Sequence, residues 1–270
     1  MSQRILLSLA QTTIREGLRN RLFLAVFFMG CLVLLGLQFL AGLSMRQPYQ
    51  AAMAYNLAAI NIIGVLLTLF LGVNLVFRDV NSRVIHPVLA QPIKRSTYIF
   101  GQFLGLFSLI FLIISCLGIC GAAGLSLVEY FHPDMGSFSW IKYLWAINSQ
   151  IFGLSLLGAL TIFFTSFASS SILPFLLSCG IYAIGLTAKA TKEFLETPYG
   201  QQNFTPLIKK TIVTVYYTMP NFSFFNLNRQ AIYDLPLQTS QVVFIFLYWL
   251  LYCSTLLCAA SLLFNRRDIT

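Results

Sequence analysis

Six apolar runs, each close to the length that crosses a lipid bilayer, leave this 270-residue chain few folds to choose from. They lie at 22–43, 57–77, 99–128, 146–167, 172–188 and 242–264. About 20 apolar residues in helical form span the ~30 Å hydrocarbon core. Continuous runs of this length predict helices that satisfy their own backbone hydrogen bonds in lipid. With 58% hydrophobic and 9% charged residues, and a mean hydropathy of +0.80, the chain has too little polar surface for a water-soluble domain. The expected fold is therefore an all-α polytopic membrane protein with six transmembrane helices, forming one transmembrane domain over 1–270. The third run is long enough to tilt or project. The fourth and fifth, separated only by "ASSS", read as a tight hairpin.

The first run starts about twenty residues in and is followed by no small-residue cleavage pattern, so no cleavable signal peptide is expected. All six cysteines (Cys31, Cys116, Cys120, Cys179, Cys253 and Cys258) fall inside predicted spans. They read as small apolar residues rather than disulfide or metal positions.

Orientation follows from the basic residues of the short loops. The N-terminal stretch carries Arg4, Arg15, Arg19 and Arg21, the second loop Arg78, Arg83, Lys94 and Arg95, and the C-terminal tail Arg266 and Arg267. Facing them, the first and third loops carry one each, Arg46 and Lys142. Both termini are thus predicted to be cytoplasmic. The net charge of +9 is explained by topology and anionic membrane lipids. Nucleic acid is not an expected partner, because no soluble basic domain exists to bind it.

Before the first span, Arg4, Ser8, Gln11, Arg15 and Arg19 recur at steps of four, three, four and four, a polar stripe on one helix over 1–21. Leu6, Leu9, Ala10 and Thr13 fall on its other side. Such a helix fits the membrane interface; a plain positive-inside tail is the alternative. The long outer loop, 189–241, is aromatic and punctuated by Pro206, Pro220 and Pro236. It reads as short or re-entrant helices packed at the outer interface. Its two sequons, at Asn203 and Asn221, are short enough to arise by chance. In the third span Gly118, Gly121 and Gly124 follow Gly101 and Gly105, a spacing that admits a close helix from the same subunit or from a second one.

Catalytic signatures are missing. The acidic residues Glu16, Asp79, Glu129, Asp134, Glu193, Glu196, Asp234 and Asp268 all fall in tails, loops or span ends, so no mid-membrane carboxylate pair or proton relay is seen. His86 and His132 belong to loops on opposite sides, so they share no metal site. No nucleophile elbow and no phosphate-binding glycine loop is found, and the chain is expected to bind no cofactor of its own. Among mid-span polar groups, Asn61, Asn74, Thr161 and Thr165 are candidates to line a substrate route; hydrogen bonding to a neighbouring helix is the alternative.

One cytoplasmic stretch stands out, "VFRDVNSRVIHPVLAQPIKR" at 76–95, within the loop 78–98 between spans two and three. Val84, Ile85, Val88 and Leu89 form one apolar ridge if helical, ended by Pro92. An exposed ridge on a short cytoplasmic helix suits a groove on a partner protein.

That stretch resembles the permease subunits of the second type of ATP-binding-cassette exporter. Asp79 stands at the family's first acidic position, Pro92 and Arg95 at its Pro and Arg, and Gly101-Gln102 at its Gly-Lys. The outer "MPNFSFFNL" and the closing "FNRRDI" are similar as well. Asn81, Arg83 and Pro87 depart from the family pattern. The resemblance implies a cytoplasmic coupling helix in which Asp79, Arg83, Val84, Ile85, Val88, Leu89, Pro92 and Arg95 meet an ATPase, with the interfacial helix of Arg4, Arg15 and Arg19 beside it. It implies a non-catalytic subunit of a bacterial inner-membrane exporter. Its partners would be an ABC ATPase subunit holding ATP and Mg²⁺, a second permease copy and membrane lipids, with room for an accessory periplasmic protein. A membrane scaffold without transport activity is the alternative.

Overall fold

The computed structural model describes residues 2–36, 48–81, 95–131, 138–168, 170–198 and 204–265. Every regular element among them is helical: α1 (Ser2–Arg19), α2 (Arg21–Leu35), α3 (Pro48–Asn81), α4 (Arg95–Phe131), α5 (Trp140–Thr165), α6 (Ile172–Glu196), α7 (Pro206–Thr218), a 3-10 turn (Phe222–Phe225), α8 (Asn228–Ile232) and α9 (Thr239–Asn265). Five of these, α3, α4, α5, α6 and α9, are long and apolar enough to cross a membrane. The run at 22–43 is described only through Gly36. Its helix is bent by 67° against the preceding one, between Ala10–Arg19 and Leu24–Leu35, and makes a sixth crossing only if the bent pair is counted as one span.

The helices outrun the apolar windows that announced them. α3 begins at Pro48 rather than near 57, with proline in the first turn, where its missing N–H costs nothing. The polar residues there find partners inside the protein. Tyr55 donates to the Val33 carbonyl at 3.0 Å, and Asn56 is fully buried against Tyr143. α6 likewise continues past 188 to Glu196. At 1.5 Å per residue the 37 residues of α4 reach about 55 Å, well beyond the hydrocarbon.

α5 is the axis of the fold. It packs against α3, α4, α6, α8, α9 and the 3-10 turn. In its most apolar stretch 83% of residues are buried, against 22% in α6 and 17% in α9, which stand at the periphery. Tyr143 on α5 joins three helices, with its hydroxyl 2.9 Å from the Gly118 carbonyl of α4 and 3.1 Å from the Asn56 amide of α3. Both neighbours of the hydroxyl are acceptors, the Gly118 carbonyl and Asn56 Oδ1, so its single proton is shared between them. Two glycines of α4 serve contacts within the subunit: Gly118 lies against Ile147 of α5, and Gly121 against Asn56 of α3.

α1 docks on the first turns of α4. Ala10, Thr13 and Gly17, at steps of three and four, form its buried face, while Arg15, Glu16 and Arg19 are exposed. A Cβ on Gly105 would sit 2.5 Å from the Thr13 Cβ, so only glycine admits the helix at this distance. Thr13 donates to Gln102 Oε1 at 3.0 Å, and Gln102 Nε2 donates to the Tyr98 hydroxyl at 3.1 Å. The Tyr98 ring stacks on Phe264 of α9, with centroids 5.9 Å apart. One end of the bundle is thus tied across three helices.

Candidate functional site

At the opposite end, the segment after α7 does not lie on the bundle but enters it. Phe222, Phe225, Leu227 and Ala231 are all buried. Two glycines make the entry possible. A Cβ on Gly185 of α6 would lie less than 3.0 Å from the Pro220 carbonyl oxygen and the Phe222 ring, and one on Gly153 of α5 would lie 3.0 Å from the Phe225 Cβ. Pro220 restricts the backbone where the segment leaves α7. Asn221 opens the 3-10 turn by accepting from the Ser223 N–H at 3.1 Å and the Ser223 hydroxyl at 2.6 Å. The Asn221 sequon therefore has a structural use, and its side chain is buried.

Hydrogen bonds from α5 and α9 hold the insert. Ser149 donates to the Phe225 carbonyl at 2.7 Å. The Asn221 N–H donates to the Tyr248 hydroxyl of α9 at 2.7 Å. Lys142, at the start of α5, binds the Asp234 carboxylate at 2.6 Å and also the Asp234 carbonyl. The Lys142 ammonium holds the Asp234 carboxyl below its ordinary value, more than its slight burial raises it. Asp234 sits at φ 53°, a left-handed conformation that Asp tolerates better than most residues.

Beneath the insert lies a cavity of about 220 Å³ between α3, α5 and α6. Among the described residues its polar lining consists of Asn61, Gln150, Tyr182, Asn226 and Asn228, and Phe222 and Phe225 also line it. Tyr182 donates to Asn61 Oδ1 at 3.1 Å. Gln150 Nε2 donates to the Leu57 carbonyl at 3.1 Å and to Asn228 Oδ1 at 3.2 Å. Gln150 Oε1 is buried with no protein partner. Asn61 stands thirteen residues into α3, about 20 Å along it, so the cavity lies in the insert's half of the bundle.

Of the predicted pathway residues, then, Asn61 lines a cavity. Asn74 is exposed on α3. Thr161 and Thr165 are buried in α5 and donate to carbonyls of their own helix, at Leu157 (2.8 Å) and Ile162 (2.9 Å). The structure does not bring the four together around one cavity. It groups Asn61 instead with Gln150, Tyr182, Asn226 and Asn228, which sequence reasoning did not single out. The only sequence signal for them was Gln150 in a predicted span and the Asn-rich "MPNFSFFNLN".

The predicted coupling residues fall elsewhere. Asp79 lies in the last turn of α3, and Arg95 opens α4. Arg83, Val84, Ile85, Val88, Leu89 and Pro92 lie outside the described residues. Arg4 belongs to α1, and Arg15 and Arg19 are exposed on it. Among the described residues no group of three or more His, Cys, Asp or Glu side chains is placed to hold a metal ion.

No curated protein sequence matches the chain. The model of a family described as "ABC-2 family transporter protein" matches residues 7–269. Spanning nearly the whole length and joined to five helices able to cross a membrane, that match makes this chain a multi-pass membrane protein of the ABC-2 transporter family.

Proposed function

We propose that the chain is the permease subunit of an ABC exporter in the bacterial inner membrane, with both termini cytoplasmic. Two copies pair, and a separate ATPase subunit binds ATP and Mg²⁺. That ATPase docks on the segment between α3 and α4 through Val84, Ile85, Val88 and Leu89, flanked by Asp79, Arg83, Pro92 and Arg95. The chain itself performs no chemistry; it converts ATP-driven closure of its partners into rigid-body motion of its helices.

The α1–α4 joint carries this reading. Thr13 locks onto Gln102, and α4 starts at Arg95, where the docking segment ends. α3 ends at Asn81, where that segment begins. Force applied there enters α3 and α4 directly, and both pack on α5, which holds the insert at the far end. Side chains packed as in a crystal transmit such displacement rather than absorb it.

Affinity purification of the full chain beside a Val88→Asp/Leu89→Asp variant tests the proposal. A soluble ATPase co-purifying with the original chain and lost from the folded variant supports it. Absence of an ATPase from both refutes it and favours the scaffold alternative.

A further inference from the structure

An open groove runs between the first turns of α5 and of α9. Its volume is about 320 Å³, at the lower end of the ~300–1,000 Å³ range of ligand sites. Among the described residues, Ser149, Leu227 and Ile245 are its buried lining, whereas Trp145, Val243 and Phe246 are exposed. Asn148 and Ser149 are the polar residues of that lining, and each spends its donor within the protein. The Asn148 amide donates to the Leu144 carbonyl at 2.8 Å, and the Ser149 hydroxyl to the Phe225 carbonyl at 2.7 Å. The groove is therefore an apolar slot with aromatic walls. Its depth follows from the Lys142–Asp234 ion pair, which stands one turn before Trp145 on α5. Charges of that kind belong at the headgroups. Trp145 to Phe152 lie about 5–15 Å further along the helix, at acyl-chain depth in the leaflet nearest the insert. The medium there is hydrocarbon rather than water. An unfilled slot forfeits dispersion contacts along its walls, and such contacts, more than the hydrophobic effect, hold apolar groups together in lipid. A lipid tail restores them.

We infer that this groove seats one acyl chain of a phospholipid from the leaflet nearest the insert, held more firmly than the surrounding lipids. Leu227 belongs to the insert, so the seated chain touches the segment that α5 and α9 hold. The inference rests on the chain being a membrane protein and not on the permease reading. Lipid retention is measured on the chain itself and ATPase docking on co-purification, so either can fail alone.

The test is tryptophan quenching by phosphatidylethanolamine with brominated acyl chains. The full chain is reconstituted in that lipid, extracted into a mild detergent and washed with rising amounts of lipid-free detergent. Two chains are compared, both carrying Trp140→Phe. Trp249 stays in both, because its Nε1–H donates to the Ser155 hydroxyl at 2.6 Å. One chain keeps Trp145; the other carries Trp145→Phe and Leu144→Trp, which moves the indole to an exposed position outside the groove lining. Both indoles should be quenched in the bilayer. Recovery of Trp145 should then need about tenfold or more detergent than recovery of the control. Val243→Phe, or the milder Val243→Leu should the first fail to fold, intrudes on the groove from α9 and should bring the Trp145 midpoint down to the control. Recovery of both indoles together would show surrounding lipid only and overturn the inference. So would a Trp145 never quenched in the bilayer, which would mean that protein covers the groove. An unchanged Trp145 midpoint in the folded Val243→Phe chain would place the retained lipid elsewhere and overturn it as well.

Discussion

Gly185 of α6 lies so close to the Pro220 carbonyl that no larger residue fits between them. This contact, with its counterpart between Gly153 and Phe225, lets a segment of irregular backbone enter a helical bundle. Non-helical backbone at membrane depth survives only where protein or a water-lined cavity satisfies it. Here Ser149, Tyr248 and Lys142 provide the partners.

Gly185→Ala should therefore displace the insert at a cost of about 1–3 kcal/mol, the usual penalty of overpacking. Gly180→Ala on the same helix is the control, since a Cβ there meets nothing within 4 Å. It should stabilise by about 0.5–1 kcal/mol through helix propensity. Unfolding in denaturant compares the two, and equal effects would refute the close contact.

Tyr248→Phe strands the buried Asn221 N–H, and Ser149→Ala strands the Phe225 carbonyl. Each should cost about 1–3 kcal/mol, the desolvation penalty of an unpaired buried group. Hydrogen exchange should rise over 219–232 while the α1–α4 joint stays protected.

Acid should loosen the end of the insert. The Asp234 carboxyl is held below its ordinary value of 3.8 by Lys142. A depressed carboxylate contributes stability above its ordinary value and loses that contribution as pH falls through the depressed one. The Lys142 clamp should hold at neutral pH and weaken below about pH 3.8. Asp234→Asn should abolish that pH dependence while keeping the left-handed turn, and amide exchange around Tyr233–Leu235 reads both.

Much of the fold was legible because lipid is a demanding solvent: apolar windows located five crossing helices. The interrupted run of prolines and aromatics likewise announced short helical pieces between α6 and α9. Boundaries were less legible, since Asn56 and Tyr55 look like loop residues until Tyr143 and the Val33 carbonyl partner them. The cavity was hidden for a related reason. Gly153 and Gly185 are ordinary span glycines until the Pro220–Phe225 backbone lies against them, and Gln150 reads as one more polar group. Thr161 and Thr165 bond to carbonyls of their own preceding turn, a use of a span threonine that no spacing rule reveals. Gly105, Gly118 and Gly121 do meet neighbouring helices, but spacing could not choose between partners; Thr13, Ile147 and Asn56 of the same chain lie against them.

The joint between α1 and α4 should be separable from ATPase docking. Gly105→Val drives a branched side chain into Thr13, a clash of about 1–3 kcal/mol. The docking segment at 82–94 is unchanged in that variant. ATPase should still co-purify, while transport-coupled stimulation of ATP hydrolysis should fall. Loss of co-purification from a folded Gly105→Val chain would show that the joint is part of the docking surface instead.

The most direct measurement of the account is nucleotide-dependent hydrogen exchange on the intact permease–ATPase complex, read at 219–232. If force entering at the α3–α4 connection moves the bundle, trapping the ATPase with ATP and vanadate should change protection of the insert and its cavity. Gly105→Val should blunt that change without abolishing ATP hydrolysis. Identical protection with and without nucleotide, in a complex that hydrolyses ATP, would contradict the coupling path described here.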